Sequence, residues 1–145
     1  MDLIKTMDIA ASGMTAQRTR MNVISMNLAN ANTTRTATGG PYRRRTVIFQ
    51  TTPVGVDFRQ HLHRALTQEP CGVKVTDIVA DSKEFKRVFD PSHPDADQDG
   101  YVSLPNVNLV QEMVQMLNAN RAYEANAAAV QAAKDMALKA LEIGR

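Results

Sequence analysis

LVQEMVQMLNANRAYEANAAAVQAAKDMALKAL, residues 109–141, is the stretch that decides the fold. Leu109, Met116, Tyr123, Val130 and Ala137 stand seven residues apart, and Met113, Asn120, Ala127, Lys134 and Leu141 follow each of them four places on. Two rows at three-and-four spacing over about four heptads predict a long helix with a coiled-coil seam. The six alanines between Ala125 and Ala133 favour helix and let a second helix approach closely. Gly144 marks the expected end.

A second helix is expected at the other end of the chain. Met7, Met14, Met21 and Leu28 repeat every seven residues, with Ile4 and Ala11 three places ahead of the first two. Arg18 and Ser25 continue that second row, so the seam is interrupted by polar side chains. The run Asn27 to Thr34 is rich in Asn and Thr, which compete for backbone hydrogen bonds and end the helix. Gly39-Gly40-Pro41 enforces the break.

Between the two lies a different texture. Thr46–Phe49, Val73–Thr76 and Phe85–Phe89 read as strands, being β-branched, aromatic or alternating. Phe58, Leu62, Ala65 and Leu66 fit a short helix or an irregular loop equally well. The expected fold is mainly α: long N- and C-terminal helices pairing as an antiparallel coiled coil, with a small β-containing, irregular middle insert. Residues 1–32 and 107–145 would form one discontinuous helical domain, with 33–106 as the insert. Neither helix is amphipathic enough to stand alone in water, so each needs the other or a neighbouring molecule.

Composition narrows the function. One hundred and forty-five residues make a single domain. No apolar run approaches the ~18 residues of a membrane-spanning helix, and Asp2 and Asp8 interrupt any signal-peptide pattern. A lone Cys71 excludes an internal disulfide and a thiolate-built zinc site. The net charge of +2 hides an asymmetry: residues 1–65 carry +6 and residues 66–145 carry −4. That points to head-to-tail association or to an anionic partner for the first half.

Motifs for chemistry are few. Asp95, Asp97, Asp99 and Gly100 match the opening of a calcium loop, but Asn106 stands where the closing Glu belongs and Pro105 precedes it. An acidic, Gly-containing turn is the preferred reading, with these three carboxylates as weak metal candidates. Arg43-Arg44-Arg45, with Arg35, would suit a phosphate, an acidic protein face or plain solvent, but no nucleic-acid motif accompanies it. His61 and His63 lack a third ligand and read as surface histidines. No nucleophile elbow, phosphate loop or dinucleotide fingerprint occurs. An enzyme is therefore not expected, nor a cofactor, a nucleic-acid partner or a small-molecule substrate.

The segment Met21–Thr34, a helix ending in Asn27-Leu28-Ala29-Asn30-Ala31-Asn32-Thr33, resembles the N-terminal signature of the bacterial flagellar rod and hook proteins. Glu112–Asn126 is similar to the C-terminal signature of the same family. The short length, Asp90-Pro91-Ser92-His93-Pro94, Gly100-Tyr101-Val102 and Pro105-Asn106-Val107-Asn108 resemble its proximal-rod members. The resemblance implies a structural subunit of the proximal rod of the basal body, exported unfolded by the flagellar type III apparatus without a cleaved signal. It would assemble with copies of itself and other rod subunits into the torque-carrying shaft that crosses the periplasm. The implied assembly interface comprises Met7, Met14, Met21, Asn27, Leu28 and Asn30 on the first helix. On the second it comprises Leu109, Met113, Met116, Asn120, Arg121, Tyr123, Ala127 and Val130. Asn27, Asn30 and Arg121 match motif positions and are expected to hydrogen-bond helix ends and neighbouring backbones. Two other readings are a self-contained soluble helical adaptor and a weak calcium-responsive regulator built on Asp95–Asp99.

Overall fold

Leu3 to Ala29 contains no proline and one glycine, and it forms a continuous 27-residue helix, α1. It stops in the Asn-rich run: the Met26 carbonyl accepts both the Asn30 amide and, at 2.9 Å, Asn30 Nδ2, and the chain then turns with the Thr33 amide donating to the Asn30 carbonyl. Strands β1 (Arg45–Thr52), β2 (Gly72–Ala80), β3 (Lys86–Phe89) and β4 (Tyr101–Leu104) follow. The chain then enters α2, a 35-residue helix from Leu109 to Ile143. Asn108 caps it, its Oδ1 accepting from the Gln111 amide at 3.2 Å.

This computed structural model describes residues 3–53 and 70–143. The expected short helix around Phe58–Leu66, His61, His63 and Gly144 lie outside the described residues. Two long helices and small two-stranded sheets are present as expected; β1 pairs with β2, and β3 pairs with β4. The second pair is an antiparallel hairpin with Lys86 opposite Leu104 and Phe89 opposite Tyr101. Strand β4 was not anticipated, because its four residues sit directly behind the turn-rich Asp90–Gly100 loop. Gly100 turns that loop with φ +78, and a Cβ there would meet the Phe89 ring at 3.0 Å.

The chain divides into two compact units. The first comprises residues 1–19, 49–76 and 119–145. Among its described residues the buried apolar ones are all small: Ala10, Ala16, Ala119 and Ala133. Gly13 lies so close to Asn126 that a Cβ would come within 2.9 Å of Asn126 Nδ2. The Val73 amide donates to Ser12 Oγ at 3.0 Å, which holds β2 to α1. The second unit comprises residues 20–48 and 77–118. Its buried apolar residues are Val23, Ile24, Ala31 and Val102, and it also buries two polar side chains, Asn27 and Glu112.

The inward row of α2 differs from the expected companion row by one residue. Glu112, Ala119 and Ala133 are buried and Asn126 is half-buried; of the expected companion row Met113, Asn120, Lys134 and Leu141 are exposed and Ala127 is half-buried, as are Met116, Tyr123, Val130 and Ala137 of the other row. One residue is about 100° of helix rotation. Large apolar side chains carry the periodic signal in the sequence, but close helix approach on α2 selects the small ones. On α1, Ile4, Ala11, Arg18 and Ser25 are exposed, and Ala10, Ala16, Val23 and Ile24 are buried.

Candidate functional site

The second unit is organised around a buried polar cluster. Asn27, at the end of α1, has no exposed surface. Its Nδ2 donates to the Arg45 carbonyl at 2.8 Å and to Glu112 Oε2 at 2.9 Å. Its Oδ1 accepts from the Arg45 amide at 2.9 Å and from the Tyr42 hydroxyl at 3.0 Å. Both donors and both lone pairs are used, so nothing is left unsatisfied by burial. The amide pairs with the two backbone groups of Arg45 as a neighbouring strand would, and so pins the start of β1 to the end of α1.

Glu112 is equally buried. Its second oxygen accepts from Arg44 Nε at 2.8 Å in an ion pair. Arg44 also donates through Nη1 to Asp81 Oδ2 at 3.2 Å and to Thr46 Oγ1 at 3.0 Å. Burial disfavours the guanidinium charge, but the bonds to Glu112 and Asp81 outweigh it and hold the Arg44 pKa above its ordinary value. Burial pushes the Tyr42 phenol up, with Arg45 opposing the shift. Asn106 completes the cluster: its Oδ1 accepts from the Arg44 amide at 2.8 Å, and its Nδ2 donates to the Lys83 carbonyl at 3.1 Å.

The acidic turn is arranged differently. Asp97 Oδ1 accepts from the amides of Tyr101 and Asp99, at 2.9 and 3.1 Å, and its Oδ2 accepts from Arg87 Nη2 at 2.8 Å. The Tyr101 amide, aided by Arg87, holds the Asp97 carboxyl below its usual value. Asp95 turns away to Thr34 Oγ1 at 2.7 Å. Among the described residues no three metal-ligating side chains converge.

The remaining singled-out residues lie along the helices. Met7, Met14, Met21 and Leu28 are half-buried on α1, as are Met116, Tyr123, Ala127 and Val130 on α2. Asn30 lies at the helix end and accepts from Thr33 Oγ1 at 3.2 Å. Asn120 and Arg121 are exposed, and Asn120 Nδ2 donates to Glu124 on its own helix. In the second unit, Leu109, Val110, Met113, Val114 and Leu117 form a continuous apolar face between 45% and 72% exposed. Tyr42, Asn106 and the partnership of Arg44 with Glu112 escaped the sequence reading. A carboxylate seven residues before an inward alanine was the available signal.

Known proteins resemble this chain in sequence. A model described as "Flagella basal body rod protein" matches residues 7–35, and one described as "Flagellar basal body rod FlgEFG protein C-terminal" matches residues 98–143. The chain is 45% identical, over 99% of its length and 98% of the relative's, to the flagellar basal-body rod protein FlgC of Borreliella burgdorferi. It is 42% identical to the FlgC of Bacillus subtilis over the whole of both chains. Over the whole of both chains it is also 39% identical to the FlgC of Salmonella typhimurium.

Proposed function

The chain belongs to the FlgC family of flagellar basal-body rod proteins, and from that premise we propose that it builds the proximal part of the rod through its terminal helices. It is a structural rod subunit of the basal body and not an enzyme. Its partners are other rod subunits and, in our reading, further copies of itself. Export by the flagellar type III apparatus and transmission of torque across the periplasm belong to the same proposal. The adaptor and calcium-regulator readings find no support in this family.

The observation that carries the proposal is the exposed Leu109–Leu117 face at the start of α2. Covering such a face in an assembly releases about 25 cal/mol per Å² of apolar surface. The antiparallel coiled coil is supported by two separate contacts, Gly13 with Asn126 and Asn27 with Glu112. Two heptads separate the α1 members, and two heptads separate the α2 members in the opposite direction. Among described residues no helix is long and apolar enough to cross a membrane.

The test is Val110→Asp with Val114→Asp. Both side chains are exposed, so the purified chain keeps its melting temperature. In cells lacking the parental chain, the variant is expected to be secreted but missing from purified basal bodies. Normal rods containing it would overturn the proposal.

A further inference from the structure

The three consecutive arginines have divided roles. In the segment that leads into β1, Arg44 is turned inward to Glu112, while Arg43 and Arg45 are exposed. Those two line a cavity of about 380 Å³, together with Thr36, Thr38, Gly39 and Gly40. None of its lining residues is acidic. Arg43 stacks on the Phe85 ring, 4.4 Å from its centroid, and donates Nη1 to the Asp81 carbonyl at 3.1 Å. Nη1 also reaches the Lys83 carbonyl at 3.5 Å, and no carboxylate pairs with this guanidinium among the described residues. Arg45 is held by its backbone alone, through the Asn27 amide, and its side chain makes no hydrogen bond or ion pair among the described residues. Gly39 and Gly40 turn the opposite wall with φ +84 and +74, and the space beside both is open.

We propose that this cavity is an anion subsite that receives carboxylate side chains from a second copy of this chain in the assembled rod. The inference rests on the rod reading and deepens it by naming the chemistry of one contact. The Arg43 guanidinium, held against Phe85, and the Arg45 guanidinium, unpaired among the described residues, stand beside threonine hydroxyls, and guanidinium groups bind planar carboxylates with two parallel hydrogen bonds. The occupant is a second copy because the chain carries the complement: residues 1–65 are +6 and residues 66–145 are −4. Glu124, Asp135 and Glu142 are all exposed. Spacings of eleven and seven residues place them within about 20° of one another around α2. They form an acidic line along the outer part of that helix, long enough to be read by a neighbour.

The experiment uses the full chain in cells lacking the parental copy, with the amount in purified basal bodies as the readout. Among the described residues the Arg45 side chain makes no hydrogen bond or ion pair, so the melting temperature and secretion of Arg45→Glu are expected to stay at parental levels. Its incorporation is expected to fall about tenfold. Arg43→Glu with Arg45→Glu deepens the loss. A Glu124→Arg, Asp135→Arg, Glu142→Arg chain is expected to fail in the same way. Co-expressing it with the arginine-reversed chain restores both, because each supplies the charge that the other lost. Parental incorporation of Arg45→Glu would overturn the subsite. Exclusion of both variants without mutual rescue would overturn the second copy as its occupant. Absence of the parental chain from purified basal bodies is the separate result that removes the rod reading itself.

Discussion

Replacing Glu112 by Gln keeps size and shape and removes only a charge and one acceptor. Both partners of this carboxylate are donors: Asn27 Nδ2 at 2.9 Å and Arg44 Nε at 2.8 Å. A Gln has one acceptor end and one donor end, so one of the two contacts must become donor against donor. The site is fully buried, and no water replaces the lost acceptor. An unsatisfied buried donor costs about 1–3 kcal/mol. With roughly 2–4 °C per kcal/mol for a chain of this size, a 2 kcal/mol loss lowers the melting temperature by about 4–8 °C. Thermal unfolding of the purified chain followed by circular dichroism measures it. A double-mutant cycle sharpens the result: Arg44→Leu with Glu112→Leu is expected to cost less than the sum of the single changes, because no buried charge is left alone. A melting temperature for Glu112→Gln within about 1 °C of the parent would refute the buried acceptor role assigned to Glu112.

Acid should weaken the same unit. The carboxyls of Asp81, Asp90 and Asp97 are held below the ordinary value, chiefly by hydrogen bonds from Lys83, Ser92 and Tyr101 respectively. A depressed pKa contributes stability that is present above the unfolded value, so stability is expected to fall as pH drops below about 4; a flat stability profile from pH 5 to 3 would contradict this. Asp97→Ala should loosen the β3–β4 hairpin equally with and without calcium, and calcium should not shift the parent's melting temperature. In the first unit, Gly13→Ala with Asn126→Ala should stabilise the chain by about 1 kcal/mol, since the double change relieves the close contact and gains helix propensity; Gly13→Leu alone should destabilise it. Denaturant titration distinguishes these.

The helices were legible as proline-free heptad rows: α1 stops at Ala29, inside the Asn- and Thr-rich run, and α2 begins at Leu109, the first member of its row. Strands at Thr46–Phe49, Val73–Thr76 and Phe85–Phe89 were legible from β-branched and aromatic residues. The rotation of the inward face was not, since a row such as Glu112, Ala119, Asn126 and Ala133 carries almost no hydrophobic signal. The buried cluster was harder still: Asn27 and Glu112 are 85 residues apart in sequence, and only the folded chain brings them together. Asp95–Asp99 resembled a calcium loop because the same residue types that ligate metals also cap turns. Here Asp97 binds the amides of Asp99 and Tyr101.

Site-directed photocrosslinking in purified basal bodies addresses the rod interface directly. A photoreactive residue at Val114, on the exposed face of α2, is compared with one at Lys74, on exposed β2. Adducts to other rod subunits from Val114, and few or none from Lys74, are the expected result. Abundant adducts from Lys74 with none from Val114 would contradict assembly through the terminal helices.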